Sequence, residues 1–177
     1  ETSVLRHQET DMISRFVDLL NYKCNSNVLT GGYGGWIWLS YKNQNMTKSL
    51  KIKYMHGAGG GGAVTKGAIN LTRALTMYEA DVYTMGHIHE NSARTDAKEV
   101  LHYGKGVCEV RHKYVHSMIT GTYKDEYHDG SGGFHIEKGR PIKILGGRIL
   151  TFDFKRVTKN KMRRLNCIVD SRQFPII

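Results

Sequence analysis

Three histidines of this 177-residue chain stand where imidazoles could act together: His56, His87 and His89. His56 ends an alternating run, Leu50 to Met55, that reads as a strand. Asp81 to Met85 reads as another strand and runs into Gly86-His87-Ile88-His89. On extended backbone, residues two apart point the same way. His87 and His89 are therefore expected to face one place, with Ile88 turned away. Between the two strands lie Gly57-Ala58-Gly59-Gly60-Gly61-Gly62 and a helix expected from Thr65, as its cap, to about Glu79. Parallel strands joined by a helix end side by side. The three imidazoles should then meet above the C-terminal edge of a sheet, where open α/β sheets take ligands. Three neutral nitrogen donors converging there suit a divalent transition metal. His102, His112, His116, His128 and His135 lack such a setting. His112 and His116 share a face of a predicted strand and read as solvated or nucleic-acid-facing.

The elements that must position these residues follow from periodicity. Residues 10–21 read as a helix capped by Thr10, with Met12, Ile13, Phe16, Val17, Leu19 and Leu20 in one apolar stripe. Trp36 to Tyr41 reads as a strand, and Lys42 to Ser49 as a polar turn. Residues 91–106 read as a polar loop, Glu109 to Tyr123 as a long β-prone stretch, and 124–141 as loop. Arg148 to Val157 and Arg163 to Val169 should pair as a hairpin across Thr158 to Met162. Helix and strand alternate first and strands come after, which predicts an α/β (α+β) fold with residues 1–177 as one domain. Hydrophobic residues at 40% and charged residues at 24% exclude general disorder. No apolar run approaches the length of a membrane-spanning helix. Cys24, Cys108 and Cys167 are widely spaced without a CxxC. They predict reduced thiols and a cytoplasmic setting rather than a disulfide scaffold or zinc ribbon.

Charge narrows the partners. Lys plus Arg number 26 against 16 Asp plus Glu, a formal net charge of +10. Lys155, Arg156, Lys159, Lys161, Arg163 and Arg164 fall close together with no acid among them. Such a hairpin suits a polyanion bound through its phosphates. Arg94, Lys98, Lys105, Arg111 and Lys113 could extend the surface, and Tyr103, Tyr114, Tyr123 and Tyr127 could stack on bases.

Gly86-His87-Ile88-His89 after a strand resembles the last motif of the calcineurin-like metallophosphoesterases. Tyr54-Met55-His56-Gly57, followed by a Gly-rich turn and a helix, resembles the preceding single-His motif of that family. The run is most similar to phage and bacterial members, and the resemblance is strongest over residues 50–90. It implies a two-sheet β-sandwich flanked by helices, a two-metal site and hydrolysis of phosphoesters. His56 and His87 would bind one metal and His89 the other. Mn2+ is the first candidate, with Zn2+, Fe2+ and Mg2+ also open. Two such cations neutralise phosphate oxygens and activate water. The family's earlier motifs, Asp-x-His, Gly-Asp-x-x-Asp and Gly-Asn-His-Glu, do not occur in this chain. Glu1-Thr2-Ser3, then a basic residue and an amphipathic helix, is similar to the way members of the family continue from the Glu of Gly-Asn-His-Glu. The expectation is a C-terminal portion of a larger catalytic domain, inactive alone, whose other ligands come from a preceding segment or a complementing chain.

The positive end of the helix near Thr65, with Gly57 and Gly59, could favour a phosphate oxygen. On charge, a nuclease or nucleic-acid phosphodiesterase is favoured over a protein phosphatase. Two other classes compete. A dinucleotide-binding oxidoreductase domain would use the Gly57–Gly62 run as GxGxxG, with Glu90 on a ribose. A non-catalytic nucleic-acid-binding or assembly protein would carry the same site in decayed form.

Overall fold

The structure, a computed structural model, describes residues 12–59, 62, 64–104, 106–125, 127, 133–159 and 162–175. Its internal contacts fall into two units, Glu1–Tyr33 and Gly34–Ile177. In the first, α1 spans Met12–Cys24, a little beyond the expected end, and none of its residues is buried. Thr10, its expected cap, lies outside the described residues. Asn25, at φ 46, takes the left-handed conformation that ends helices. The Asn21 side chain then clasps the exit: its amide donates to the Val28 carbonyl at 2.9 Å and its Oδ1 accepts from the Val28 N–H at 2.7 Å.

The second unit contains β1 (Gly34–Asn43), β2 (Met46–Met55), α2 (Ala68–Met77), β3 (Val82–Met85), β4 (Asn91–Gly104), β5 (Val107–Thr120), α3 (Phe134–Glu137), β6 (Gly146–Lys159) and β7 (Met162–Pro175). It is an α+β arrangement with a five-stranded mixed sheet, ordered β1-β2-β3-β5-β4, and a two-stranded sheet, β6-β7. β2, β3 and β5 run parallel; β1 and β4 are antiparallel edges. The parallel β2–α2–β3 crossover is the one the hydrophobic periodicity predicts.

Each face of the sheet has its own cover. On one, Leu71 and Ala74 of α2 pack on Tyr83, Met85, Ile88 and Ile119. On the other, β6-β7 crosses the sheet, from Ser171 on His116 at one side to Phe154 on Tyr41 at the other. The Phe154 and Tyr41 rings stack with centroids 4.2 Å apart and planes at 13°.

Three local expectations are corrected. The β1–β2 turn is Gln44-Asn45, not Lys42 to Ser49, because Lys42 pairs with Thr47 and Tyr41 with Lys48. Helix α2 begins at Ala68 and is capped by Gly67, not Thr65. The Thr65 carbonyl accepts the Ala68 N–H at 2.8 Å. Gly67 has φ +80, and a Cβ there would lie 2.6 Å from Ile119 Cδ1, so a side chain would be strained and would push the Ile119 side chain aside. Residues 91–104, expected as loop, form β4, paired with β5 along its whole length. β3 reaches only His116 to Ile119 of β5. Beyond Val115 the outer part is a two-stranded ribbon with no buried residue, which leaves it without apolar alternation.

Candidate functional site

The site is built where β2 and β3 end together. Met55 pairs with Met85 in the last parallel rung. One residue further, the Gly86 N–H donates to the His56 carbonyl at 3.1 Å. The Ile88 N–H then donates to the Gly86 carbonyl at 2.8 Å, across His87 at φ 67. That is a γ-turn of the rarer, strained sense. It swings the His87 ring over the end of β2. His56 Nε2 and His87 Nδ1 lie 3.1 Å apart, with ring centroids at 4.9 Å and planes at 60°. Ile88 turns inward, 7% exposed, into the core under α2, as expected.

Gly57 makes this approach possible. Its φ is +96, and a Cβ on it would lie 2.9 Å from the Gly86 carbonyl oxygen and 2.9 Å from Met85 Cε. Its role is to let two strand ends abut. Gly59, at φ +80, has nothing within 4 Å of a Cβ and borders open space. Asn70 Nδ2 donates to the Ala58 carbonyl at 3.5 Å, tying the first turn of α2 to the Gly-rich segment. A turn over residues 64–67 separates Gly62 from α2. The glycines therefore do not open straight into a helix N-terminus, as a dinucleotide fingerprint requires. Glu90 is occupied by an ion pair with Lys143, both largely buried.

His89 does not join His56 and His87. The strand stops at Met85, and His87 and His89 are both left-handed, at φ 67 and 58. The alternation of extended backbone therefore does not apply to them. The His89 ring stands 6.3 Å from that of His135, which is 4% exposed and lies 6.3 Å from the Tyr127 ring. His135 has no spacing relation to the other histidines, so nothing in the sequence marks it as a neighbour of His89. Two left-handed non-glycine residues in one short turn are strained positions of the sort that collect at functional sites.

Donor chemistry tests the fit to a metal. Imidazole nitrogens each about 2.0–2.1 Å from one ion stand about 3.0–3.4 Å from each other. The His56–His87 spacing fits two ligands of one ion, and both donors are nitrogens suited to a divalent transition metal. Among the described residues, no group of three or more His, Cys, Asp or Glu side chains is placed to hold an ion. The described residues thus bring two imidazole nitrogens to that spacing and no third donor beside them.

The basic hairpin is placed by register. Lys155 and Arg156 are exposed on β6. Lys155 pairs with Asp153 at 2.9 Å, and Arg156 donates to Asn43 Oδ1 at 2.6 Å. Lys159, Arg163 and Arg164 occupy strand positions opposite Met162, Thr158 and Val157. Lys161 and His128 lie outside the described residues.

His116 departs from the solvated role expected of it. It is 7% exposed, with Nδ1 2.9 Å from Thr95 Oγ1 and Nε2 2.9 Å from Ser171 Oγ. Arg148 beside it donates to Asn91 Oδ1 at 2.6 Å and to the Ser171 carbonyl at 3.3 Å. Burial, and then the charge of Arg148, hold the His116 pKa below its ordinary value, against an opposing pull from Asp170. The neutral imidazole thus pins β7 to the sheet. His112, four residues along, is exposed.

No family model, characterised protein or solved structure matches this chain. No described helix is long and apolar enough to cross a membrane.

Proposed function

We propose that this chain is the histidine-bearing part of a metal-dependent phosphoester hydrolase acting on nucleic-acid phosphodiesters. The observation that carries the reading is the 3.1 Å approach of His56 Nε2 and His87 Nδ1 at the C-terminal edge of two parallel strands. These two nitrogens would hold one divalent cation, with Mn2+ the first candidate, and His89 would serve a second. Such cations, when bound, neutralise phosphate oxygens and lower the pKa of a coordinated water. As neutral ligands, the imidazoles leave the cation's charge available to substrate. The exposed Lys155 and Arg156, with the excess of +10, favour a polyanionic substrate over a phosphoprotein.

In this reading the missing carboxylate ligands come from a preceding segment or a complementing chain, and this chain alone is inactive. The five-stranded sheet and the β6-β7 hairpin would be the C-terminal part of a two-sheet sandwich flanked by helices. A cytoplasmic setting, with reduced thiols, accompanies it. The lack of a third clustered ligand among the described residues favours one rival, a nucleic-acid-binding protein whose site has decayed. Metal titration separates the two. Titrating Zn2+ or Mn2+ into wild type, His56→Ala, His87→Ala and the exposed-ribbon control His102→Ala should weaken affinity about tenfold or more in the first two variants only. Equal affinity in wild type and His87→Ala would overturn the reading.

A further inference from the structure

The sheet face that carries α2 continues past the end of the helix into an open groove of about 380 Å3. Trp36, Trp38, Met77, Tyr78, Lys51 and Glu79 line it. Strand register explains the composition: Trp36 stands opposite Lys53 and Trp38 opposite Lys51, so aromatic rings and ammonium groups alternate on one face of the β1–β2 hairpin. Lys53 Nζ lies 5.3 Å from the Trp36 ring and 4.9 Å from the Tyr78 ring, which meet edge to face at 6.2 Å. That contact fixes two of the rings. Trp38, two residues along, is 67% exposed.

A tryptophan so exposed in a folded domain asks for a ligand, and the charges say which kind. From Gly34 to Met55 the hairpin carries no acid, and its register puts Lys42, Lys51 and Lys53 on the face of Trp36 and Trp38, with Lys48 on the other face opposite Tyr41. Glu79 pairs with Lys51 at 3.3 Å, but Glu79 is 84% exposed, so the pair is weak and Lys51 can take a phosphate instead. An apolar peptide would gain nothing from three lysines. A duplex keeps its bases stacked inside, out of reach of a flat ring, whereas a single strand offers both phosphates and free base faces. Lys51 and Lys53 lie roughly 10–17 Å back along β2 from His56, at about 3.3 Å per residue.

We propose that Trp36, Trp38 and Tyr78, flanked by Lys51 and Lys53, form a stacking groove for the bases of single-stranded nucleic acid. The groove would hold the strand a few nucleotides from the His56–His87 pair. This deepens the functional reading above and rests on its nucleic-acid substrate, not on its metal.

The chain has only two tryptophans, both in the groove, so intrinsic fluorescence reports on it directly. The full chain is titrated, without metal, with an oligothymidylate of about 12 nucleotides and with a duplex of the same length. The strand should quench the emission saturably and bind more tightly than the duplex, with affinity falling steeply as salt rises. Trp38→Ala should weaken binding roughly 5- to 100-fold, and Trp38→Phe, which keeps a ring, much less. Lys51→Gln should flatten the salt dependence by about 0.7 in log–log slope. The titration uses no metal, and His102→Ala on the exposed ribbon should bind the strand as wild type does, which separates this test from that of the metal reading. The proposal would be overturned by no quenching by the strand, by quenching by the duplex at equal affinity, or by Trp38→Ala and Lys51→Gln both binding as wild type. An apolar peptide that quenches independently of salt, where the oligonucleotide does not, would assign the groove to a protein segment and overturn it equally.

Discussion

The meeting of His56 and His87 depends on a missing methyl group, and Gly57→Ala is the change that tests this. At φ +96 an L-residue sits in the left-handed half of backbone space, at a cost of about 1–2 kcal/mol. The added Cβ would also lie 2.9 Å from the Gly86 carbonyl oxygen. That oxygen belongs to backbone held by the 3.1 Å bond from Gly86 N–H to the His56 carbonyl, so relief requires the ends of β2 and β3 to part. Forcing a methyl into such packing adds about 1–3 kcal/mol. The total is about 2–5 kcal/mol, or a fall in Tm of about 5–15 °C for a domain of this size. Gly59→Ala is the internal control. Its φ of +80 carries the same backbone cost, but nothing lies within 4 Å of the new Cβ. Reduced freedom of the unfolded chain returns about 0.4–1 kcal/mol to either variant, so Gly59→Ala should cost about 1.5 kcal/mol or less. Thermal and urea unfolding of the two variants, followed side by side by circular dichroism, decides the matter. If Gly57→Ala is no more destabilising than Gly59→Ala, the abutment does not constrain the fold and the reasoning fails.

Two further outcomes concern the seat of the β6-β7 hairpin. His116 has its pKa lowered from 6.5 by burial and by Arg148, so between the folded and unfolded values the unfolded chain holds the extra proton. Its contribution to stability is full above about pH 6.5 and is lost as pH falls through the depressed folded value; wild type should therefore lose Tm as pH falls below about 6.5 more steeply than His116→Gln, and parallel declines would contradict this. Phe154→Ala removes a half-buried ring stacked 4.2 Å from Tyr41 and should cost about 2 kcal/mol, measured by urea unfolding, while Tyr41→Phe, which keeps the stack, should cost well under half of that.

The β2–α2–β3 crossover is legible because its periodicities are strong and a helix between two strands leaves few topologies open. The pairing of His56 with His87 comes from that alone. Other features depend on contacts between distant residues. Gly67 displaces Thr65 as the cap because Ile88 and Ile119 close over it, and both belong to segments later in the chain than the helix. His89 turns away because two non-glycine residues adopt positive φ, which residue spacing does not encode. His116 owes its burial to Ser171 and Arg148, from a hairpin that comes later in the chain. β4 escapes notice for the opposite reason: an exposed ribbon has no core to impose a pattern.

That ribbon gives the molecule an uneven thermal profile. Near its base, Lys113 pairs with Asp81 at 3.0 Å and Lys98 donates to the Leu75 carbonyl. Beyond them the two strands pair with each other, with Lys98 and Lys113 as like charges in register at the boundary. A two-stranded ladder on its own is marginal in water. Its tip therefore opens and recloses at a fraction of the free energy needed to open the rung between Met85 and Ile119. Fraying of the outer rungs stops at the sheet, short of the histidine turn.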